Sequence, residues 1–269
     1  MKSIGGIGSN DVSAVYGGAQ GDLYSLLMGQ QLHVGGMNAS MDLAERAGIF
    51  AGQKGVDLCC GNGGGMRVLV RFRDVASMVG VDLTPRNVER GEQNCRDEGL
   101  SARIRFLVGD ASSSGLPSRS ADFVWGEDAW CYVPDKAKLI SEAARLVRSG
   151  GTIAFTDWVE GSNEMSTEEA QRALSLMSFA NVQDIPGYTR LLRENGCDVQ
   201  VAEDTGRLSK FFDLLLDMVE MQFTYDVLAL IQFRSEALAV ITENFRFLRD
   251  VSRAGKLVQA RFVARRLAS

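Results

Sequence analysis

The chain has 269 residues, 45% of them hydrophobic, with 29 Lys and Arg against 34 Asp and Glu, a net charge of −5 and one histidine. Such a balance supplies a sizeable core for one large domain with appendages. The basic residues are scattered, which argues against a duplex nucleic-acid partner, since that surface needs a basic stripe.

Residues 1–53 are Gly-rich and then helical, with Ala39–Ile49 as an amphipathic segment. The first eighteen residues lack the apolar core of an export signal. With that, the five cysteines at 59, 60, 95, 131 and 197 are expected to be reduced thiols of a cytoplasmic protein.

From residue 54 short apolar runs alternate with amphipathic segments. The run Gly55–Cys59 predicts a strand, followed by a helix through Val68–Phe72. A second strand spans Ala76–Asp82. A helix then runs over 84–99, with Thr84 as N-cap, Pro85 in its first turn and Gly99 as its stop. Strands follow over 103–110 and 121–128, a helix over 134–149 with Gly150-Gly151 just past its end, and a strand over 151–158. A helix at 185–196 and strands at 197–204 and 255–267 complete the alternation. βα units at this spacing predict a largely parallel sheet, with ligands at the carboxyl ends of its strands. Asp57, Asp82, Asp110, Glu127 and Asp157 fall there.

Two or three helical patterns occupy 207–250. The apolar stretch 211–231 within them is broken by Asp213, Asp217, Glu220 and Asp226, so no membrane span is expected. Residues 1–53 and 207–250 are read either as lids over the ligand edge or as plain cover for sheet surface.

The segment Val56-Asp57-Leu58-Cys59-Cys60-Gly61-Asn62-Gly63-Gly64-Gly65 poses a choice between a thiol site and a nucleotide-binding turn. Adjacent side chains at a strand end point in opposite directions, and no second Cys or His pair lies at ligand spacing, so no metal is expected. A strand ending in Asp, a glycine turn and a helix form a nucleotide-binding turn, with amide donors at the helix start. Asp82, ending the next strand, suits two ribose hydroxyls. Asp110 suits an exocyclic adenine amine, and the Ala111 amide a ring nitrogen.

These residues resemble the class I S-adenosylmethionine-dependent methyltransferases over roughly 54–160 and the terminal strand. Their Asp-x-Gly-x-Gly-x-Gly signature stands here as Asp57-Leu58-Cys59-Cys60-Gly61-Asn62-Gly63, with Cys59 at the first glycine. The resemblance implies an α/β, Rossmann-like, seven-stranded, mostly parallel sheet with helices on both faces. It implies S-adenosylmethionine held by Asp57, Gly61, Gly63, Asp82, Leu83, Asp110, Ala111 and Glu127. The domain reading is a lid at 1–53, a cofactor-binding core at 54–206, a helical cap at 207–250 and a terminal core strand within 251–269.

Within that class, Trp125-Gly126-Glu127-Asp128-Ala129 resembles the Trp-Ser-Gln-Asp-Ala of the sarcosine/dimethylglycine N-methyltransferases. Tyr24, Gly29, Gln30, His33 and Gly35 resemble that group's Tyr-…-Gly-Glu-Asp-Ile-His-x-Gly lid, with the acidic pair replaced by Gln30-Gln31. Residues 249–266 resemble its terminal segment. Tyr132 stands where phosphoethanolamine N-methyltransferases have a histidine implicated in catalysis.

The resemblance implies methylation of a small metabolite, at the nitrogen of an amine such as a glycine derivative. The alternative is C- or O-methylation of an apolar natural product, and a catalytically idle binding module is the rival from another class. Tyr24, His33 and Tyr132 are the candidate catalytic residues, His33 either as base or as a structural histidine. Trp125, Asp128, Trp130 and Trp158 are candidate substrate contacts through carboxylate charge and aromatic faces, the tryptophans alternatively as core. Arg67, Arg190 or Lys210 could meet a substrate carboxylate. Partners are a small molecule and neither nucleic acid nor membrane, with a homodimer left open.

Overall fold

The computed structural model describes residues 1–8, 22, 26–27, 29–31, 33–221 and 225–268. Tyr24 lies outside them, as does most of the expected lid before His33. In chain order the elements are β1 (Lys2–Ser3), α1 (Gly36–Arg46), β2 (Lys54–Leu58), α2 (Gly64–Phe72), β3 (Ser77–Asp82), α3 (Pro85–Asp97), β4 (Ile104–Val108) and β5 (Ala121–Glu127). A 3-10 turn (Trp130–Tyr132) leads to α4 (Lys136–Leu146), β6 (Val147–Glu160), α5 (Thr167–Met177), β7 (Asn181–Val182), α6 (Ile185–Glu194) and β8 (Cys197–Asp204). Helices α7 (Leu208–Met221), α8 (Tyr225–Leu230) and α9 (Ser235–Arg253) precede β9 (Leu257–Arg266).

Seven strands form one sheet in the order β4-β3-β2-β5-β6-β9-β8. The strands from β2 to β6 pair in parallel, whereas β9 is antiparallel to both β6 and β8. The order reverses between β2, which continues outward to β3, and β5. An open α/β sheet places its ligand crevice at such a switch. This is the largely parallel sheet that the alternation predicts and the Rossmann-like fold that the resemblance implies.

Strand periodicity sorts the core into two layers. On one face Phe123 and Trp125 of β5 pack with Met66, Leu69, Val88 and Phe106 under α2 and α3, joined by Leu43 and Ala44 of α1. On the other, Val124, Phe155 and Phe262 pack with Leu139 and Ile140 of α4 and Tyr188 and Leu192 of α6. Phe155 stacks between Trp130 at 4.0 Å and Phe262 at 4.6 Å, aromatic pairs that contribute about 0.5–1.5 kcal/mol each. A third cluster unites Val34, Trp158, Phe179, Phe212 and Leu248 beneath α5, α7 and α9.

Three expectations are corrected. The helix expected to reach residue 149 ends at Leu146, and β6 starts at once at Val147. Asp157 lies inside β6 opposite Ala260 and is fully buried, so it does not mark a strand end. Thr84 takes the N-cap position in extended backbone but makes no side-chain capping bond. Sequence reading also missed α5, although Ser166 and Glu169 form a capping box at its start, and the β1–β7 pair, whose strands are two residues each.

Candidate active site

The chain leaves β2 through a turn that the sequence would not choose lightly. Cys59 has φ 65°, and its N–H and that of Cys60 both donate to Val81 O of β3, at 2.8 and 3.1 Å. A side chain in this left-handed region costs about 1–2 kcal/mol. That is why glycine is usual at this position of the signature. Burial, with Asp82 and Asp57 nearby, pushes both thiols well up, so they stay protonated and unreactive. Among the described residues, no three His, Cys, Asp or Glu side chains are grouped to hold a metal ion.

Beyond the turn lies a cavity of about 310 Å³ at the carboxyl ends of β2 to β5. Asp57, Cys59–Asn62, Gly64 and Gly65 border it on one side, and Asp82, Leu83, Thr84 and Asn87 on the next. Asp110 to Ser112 and Glu127 to Ala129 continue the rim, closed by His33 and by Tyr132 to Asp135 with Lys138. A Cβ added at Gly61 would meet nothing within 4 Å, so the turn opens toward the cavity. At Gly65 a Cβ would overlap Glu127 Oε2. Gly63 is not on the rim; it caps α2 at φ 76° and backs onto the Phe106 ring.

The acids are held in distinct ways. Among the described residues Asp57 Oδ1 is buried without a hydrogen-bond partner, and burial, then the Glu127 and Asp82 carboxylates, push its carboxyl well above the usual range. An unpaired buried carboxylate oxygen costs free energy that a ligand's ammonium would recover. Asp82 accepts from Gly61 N at 2.8 Å, Thr84 N at 3.0 Å and the Asn87 amide at 3.3 Å. Burial nevertheless leaves its carboxyl raised. Asp110 is exposed and bound by the Ser112 N–H and hydroxyl, each at 2.8 Å. The three expected adenosine acids therefore lie along one cavity, in the order of their strands.

Asp128, with φ 54°, accepts from Val34 N at 2.8 Å and from Gln259 of β9 at 2.7 Å. It ties the segment before α1 to the sheet while lining the cavity. Glu127 Oε1 accepts from Ser40 Oγ at 2.6 Å and lies 3.4 Å from His33 Nε2. Tyr132 lines the cavity and packs edge-on against Phe179 at 4.9 Å.

The tryptophans are corrected. Trp125 is fully buried on the α2 face of β5, edge-on to Phe123. Trp130 is fully buried too, donating its indole N–H to Leu58 O at 3.0 Å. Trp158 packs against Phe179 and Phe212. None of the three lines the cavity. Of the suggested carboxylate partners, Arg67 is paired with Glu98 and Gln30, and neither Arg190 nor Lys210 reaches the rim. Sequence reading missed Ser40, Asn87 and Lys138. Only Asn87 carried a signal, as a polar residue in the Pro-led first turn of a helix at the ligand edge.

Beneath the 130–132 turn lies a buried polar knot. Asp157 accepts from Cys131 N at 2.9 Å and from the Tyr188 hydroxyl at 2.7 Å. Lys136 Nζ donates to Val133 O at 2.6 Å and to Cys131 O at 3.2 Å. Burial raises the Asp157 carboxyl to about 6 despite the opposing pull of Lys136, and burial lowers Lys136. The knot fixes the backbone that carries Tyr132 to the rim.

A family model described as a methyltransferase domain matches residues 56–155. The 27-O-demethylrifamycin SV methyltransferase of Amycolatopsis mediterranei is 28% identical over 203 residues, 70% of this chain and 74% of that protein. The sarcosine/dimethylglycine N-methyltransferase of Aphanothece halophytica is 25% identical over 226 residues, 77% of this chain and 79% of that one. The chain spans 31–40% of the length of the first curated relatives that it matches. Phosphoethanolamine N-methyltransferase 2 of Haemonchus contortus, solved with S-adenosyl-L-methionine, shares the fold. Its TM-score is 0.85 at 20% identity, over 98% of this chain and 61% of that one. Residues 56–155, with the glycine turn and acidic strand ends that they carry, are thus similar to a methyltransferase domain.

Proposed function

We propose that this protein transfers the methyl group of S-adenosylmethionine to a small molecule, and that the acceptor atom is an amine nitrogen. The observation that carries the reading is the cavity itself, where an unpartnered Asp57 oxygen, the open Gly61 turn, Asp82 and Asp110 follow one another along the strand ends. This donor set fits the cofactor: Asp57 for its ammonium, Asp82 for the ribose diol, and Asp110 with the Ala111 amide for adenine. Bound there, S-adenosylmethionine supplies a methyl group already activated by the sulfonium.

The protein's own residues then have a modest task, to align the acceptor and exclude water. Alignment alone supplies effective molarities on the order of 10⁵ M or more. His33 and Tyr132 sit on the rim next to Glu127 and Asp128, where an acceptor would enter. Among the described residues Asp57, Asp82, Asp110, Glu127, Asp128 and Asp135 line the cavity against the single ammonium of Lys138. Residues 3–45 contain no Lys or Arg at all. That field attracts a cationic cofactor and an amine, and repels anions.

The likeness to a sarcosine/dimethylglycine N-methyltransferase supports a glycine derivative as acceptor, with Lys138 as the lining cation for its carboxylate. C- or O-methylation of a larger apolar molecule is the second reading. It is supported by Tyr132, whose ring joins the cavity to the Phe179, Phe212 and Trp158 cluster. Transfer from methyl-labelled cofactor into sarcosine, dimethylglycine, simple amines and phenols tests both. Label in phenols and none in amines would replace the first reading by the second; label in neither, from a protein that binds the cofactor, would sink both.

A further inference from the structure

We infer that Ser40, set by Gln31, locks His33 into the tautomer with its proton on Nε2, so that Nδ1 is the atom that removes a proton from the acceptor. The inference rests on the methyl-transfer reading for its chemistry but on hydrogen-bond bookkeeping for its geometry.

Ser40 is fully buried on α1, and a hydroxyl has one proton to donate and two lone pairs to accept with. Its proton goes to Glu127 Oε1 at 2.6 Å, because a carboxylate only accepts. One lone pair takes the Gln31 Nε2–H at 2.9 Å. The remaining one faces His33 Nε2 at 3.1 Å. Ser40 has no second proton to give, so Nε2 must be the donor there. Glu127 Oε1, 3.4 Å from the same nitrogen, favours the same placement. Among the described residues Nδ1 has no hydrogen-bond partner, and His33 borders the cavity.

Gln31 gains a purpose from this. It occupies the second position of the acidic pair that the sarcosine/dimethylglycine lid shows. An acid there would accept rather than donate and compete with Glu127 for the one Ser40 proton, loosening the contact that seats the ring without changing which ring nitrogen carries its proton. Gln30 is spent elsewhere, accepting from Arg67 at 2.7 Å.

With Nδ1 free, the acceptor's lone pair forms the new bond to the methyl carbon, the carbon–sulfur bond breaks with its electrons kept by sulfur, and the acceptor's proton passes to Nδ1. The substrate class narrows accordingly, to an acceptor with an N–H or O–H to lose, rather than a tertiary amine. Ser40 and Gln31 are positioning residues in this scheme.

The chain has a single histidine, so imidazole ¹⁵N resonances need no assignment. The spectrum is taken on the whole protein without cofactor, about two units above the ordinary imidazole pKa. The expected result is one protonated Nε2 and one unprotonated Nδ1. Ser40→Ala should move both signals toward the tautomer average, Ser40→Thr should restore the split, and Gln31→Glu, which still leaves the one Ser40 proton on a carboxylate, should keep it. Ser40→Ala should also lower kcat by about tenfold or more, at most by the roughly 10²–10⁴ that a general base contributes, with cofactor affinity unchanged. A proton found on Nδ1 in the parent, or a split untouched by Ser40→Ala in a folded protein, overturns the inference. Because the spectrum needs neither cofactor nor acceptor, failure of the transfer reading leaves this result standing on its own.

Discussion

Asp82→Ala should separate two tasks that one carboxylate performs. Its oxygens hold the glycine turn through Gly61 N and the start of α3 through Thr84 N and Asn87. Hydrogen bonds to a charged group contribute ~1.5–3 kcal/mol each, but the residue borders an open cavity, so water can satisfy the freed amides. The net loss of folding stability should therefore stay near 1–2 kcal/mol, short of unfolding. The ribose diol has no such substitute. Losing one charge-assisted contact should weaken the cofactor and its demethylated product roughly 10- to 150-fold. Calorimetric titration and urea unfolding on the same preparation read the two effects separately. A folded variant that binds within about twofold of the parent, a difference of roughly 0.4 kcal/mol, would refute the ribose role. A variant that unfolds would show the turn to depend on this side chain, and Asp82→Asn would then test the charge alone.

Cys59→Gly removes the left-handed strain of roughly 1–2 kcal/mol but adds backbone freedom to the unfolded chain, about 0.5–1 kcal/mol. Stability should change by no more than about 1 kcal/mol with activity kept, and loss of activity, or dependence on added zinc, would revive a thiol role. Gly65→Ala should displace the Glu127 carboxylate and weaken both cofactor binding and the His33 arrangement, measured as a raised Kd and an altered ¹⁵N spectrum; a silent substitution would contradict the close approach of α2 to β5. Asp157, raised to about 6 by burial, is favoured by the fold in its protonated form. Its stabilising contribution is full below the unfolded carboxylate value and disappears as pH climbs through about 6, a span of about 3 kcal/mol. The parent should thus gain stability relative to Asp157→Asn on acidification from neutral pH to about 4, and a pH-independent difference in urea unfolding would argue that Lys136 fully compensates the charge.

Much of the sheet was legible because its signals are local. Apolar runs ending in Asp57, Asp82 and Asp110, each followed by turn chemistry, state both the strand and its ligand end. The tryptophans were not legible for the opposite reason. Strand periodicity says that Phe123 and Trp125 share a face, but only the packed α2 says that this face is closed. Asp128 and Ser40 depend on partners 131 and 87 residues away, a separation at which no spacing rule operates. The early end of α4 at Leu146 reflects a tie in the local sequence. Val147 serves a helix or a strand, and pairing with Ala121 decides it.

The place of β9 between β6 and β8 has a bearing on how the chain is made. When β8 has been synthesised, its sheet neighbour does not yet exist, and roughly sixty residues must follow before β9 is complete. At about 5–20 residues per second, that leaves β8 and β6 with unpaired edges for roughly 3–12 s. Exposed edges of this kind invite pairing with other chains. The same strand brings Gln259 to Asp128, so the cavity rim at Asp128 is assembled last. A nascent chain should therefore acquire its glycine turn well before it acquires a finished rim at Asp128, and its greatest need of a chaperone falls in the interval between the two.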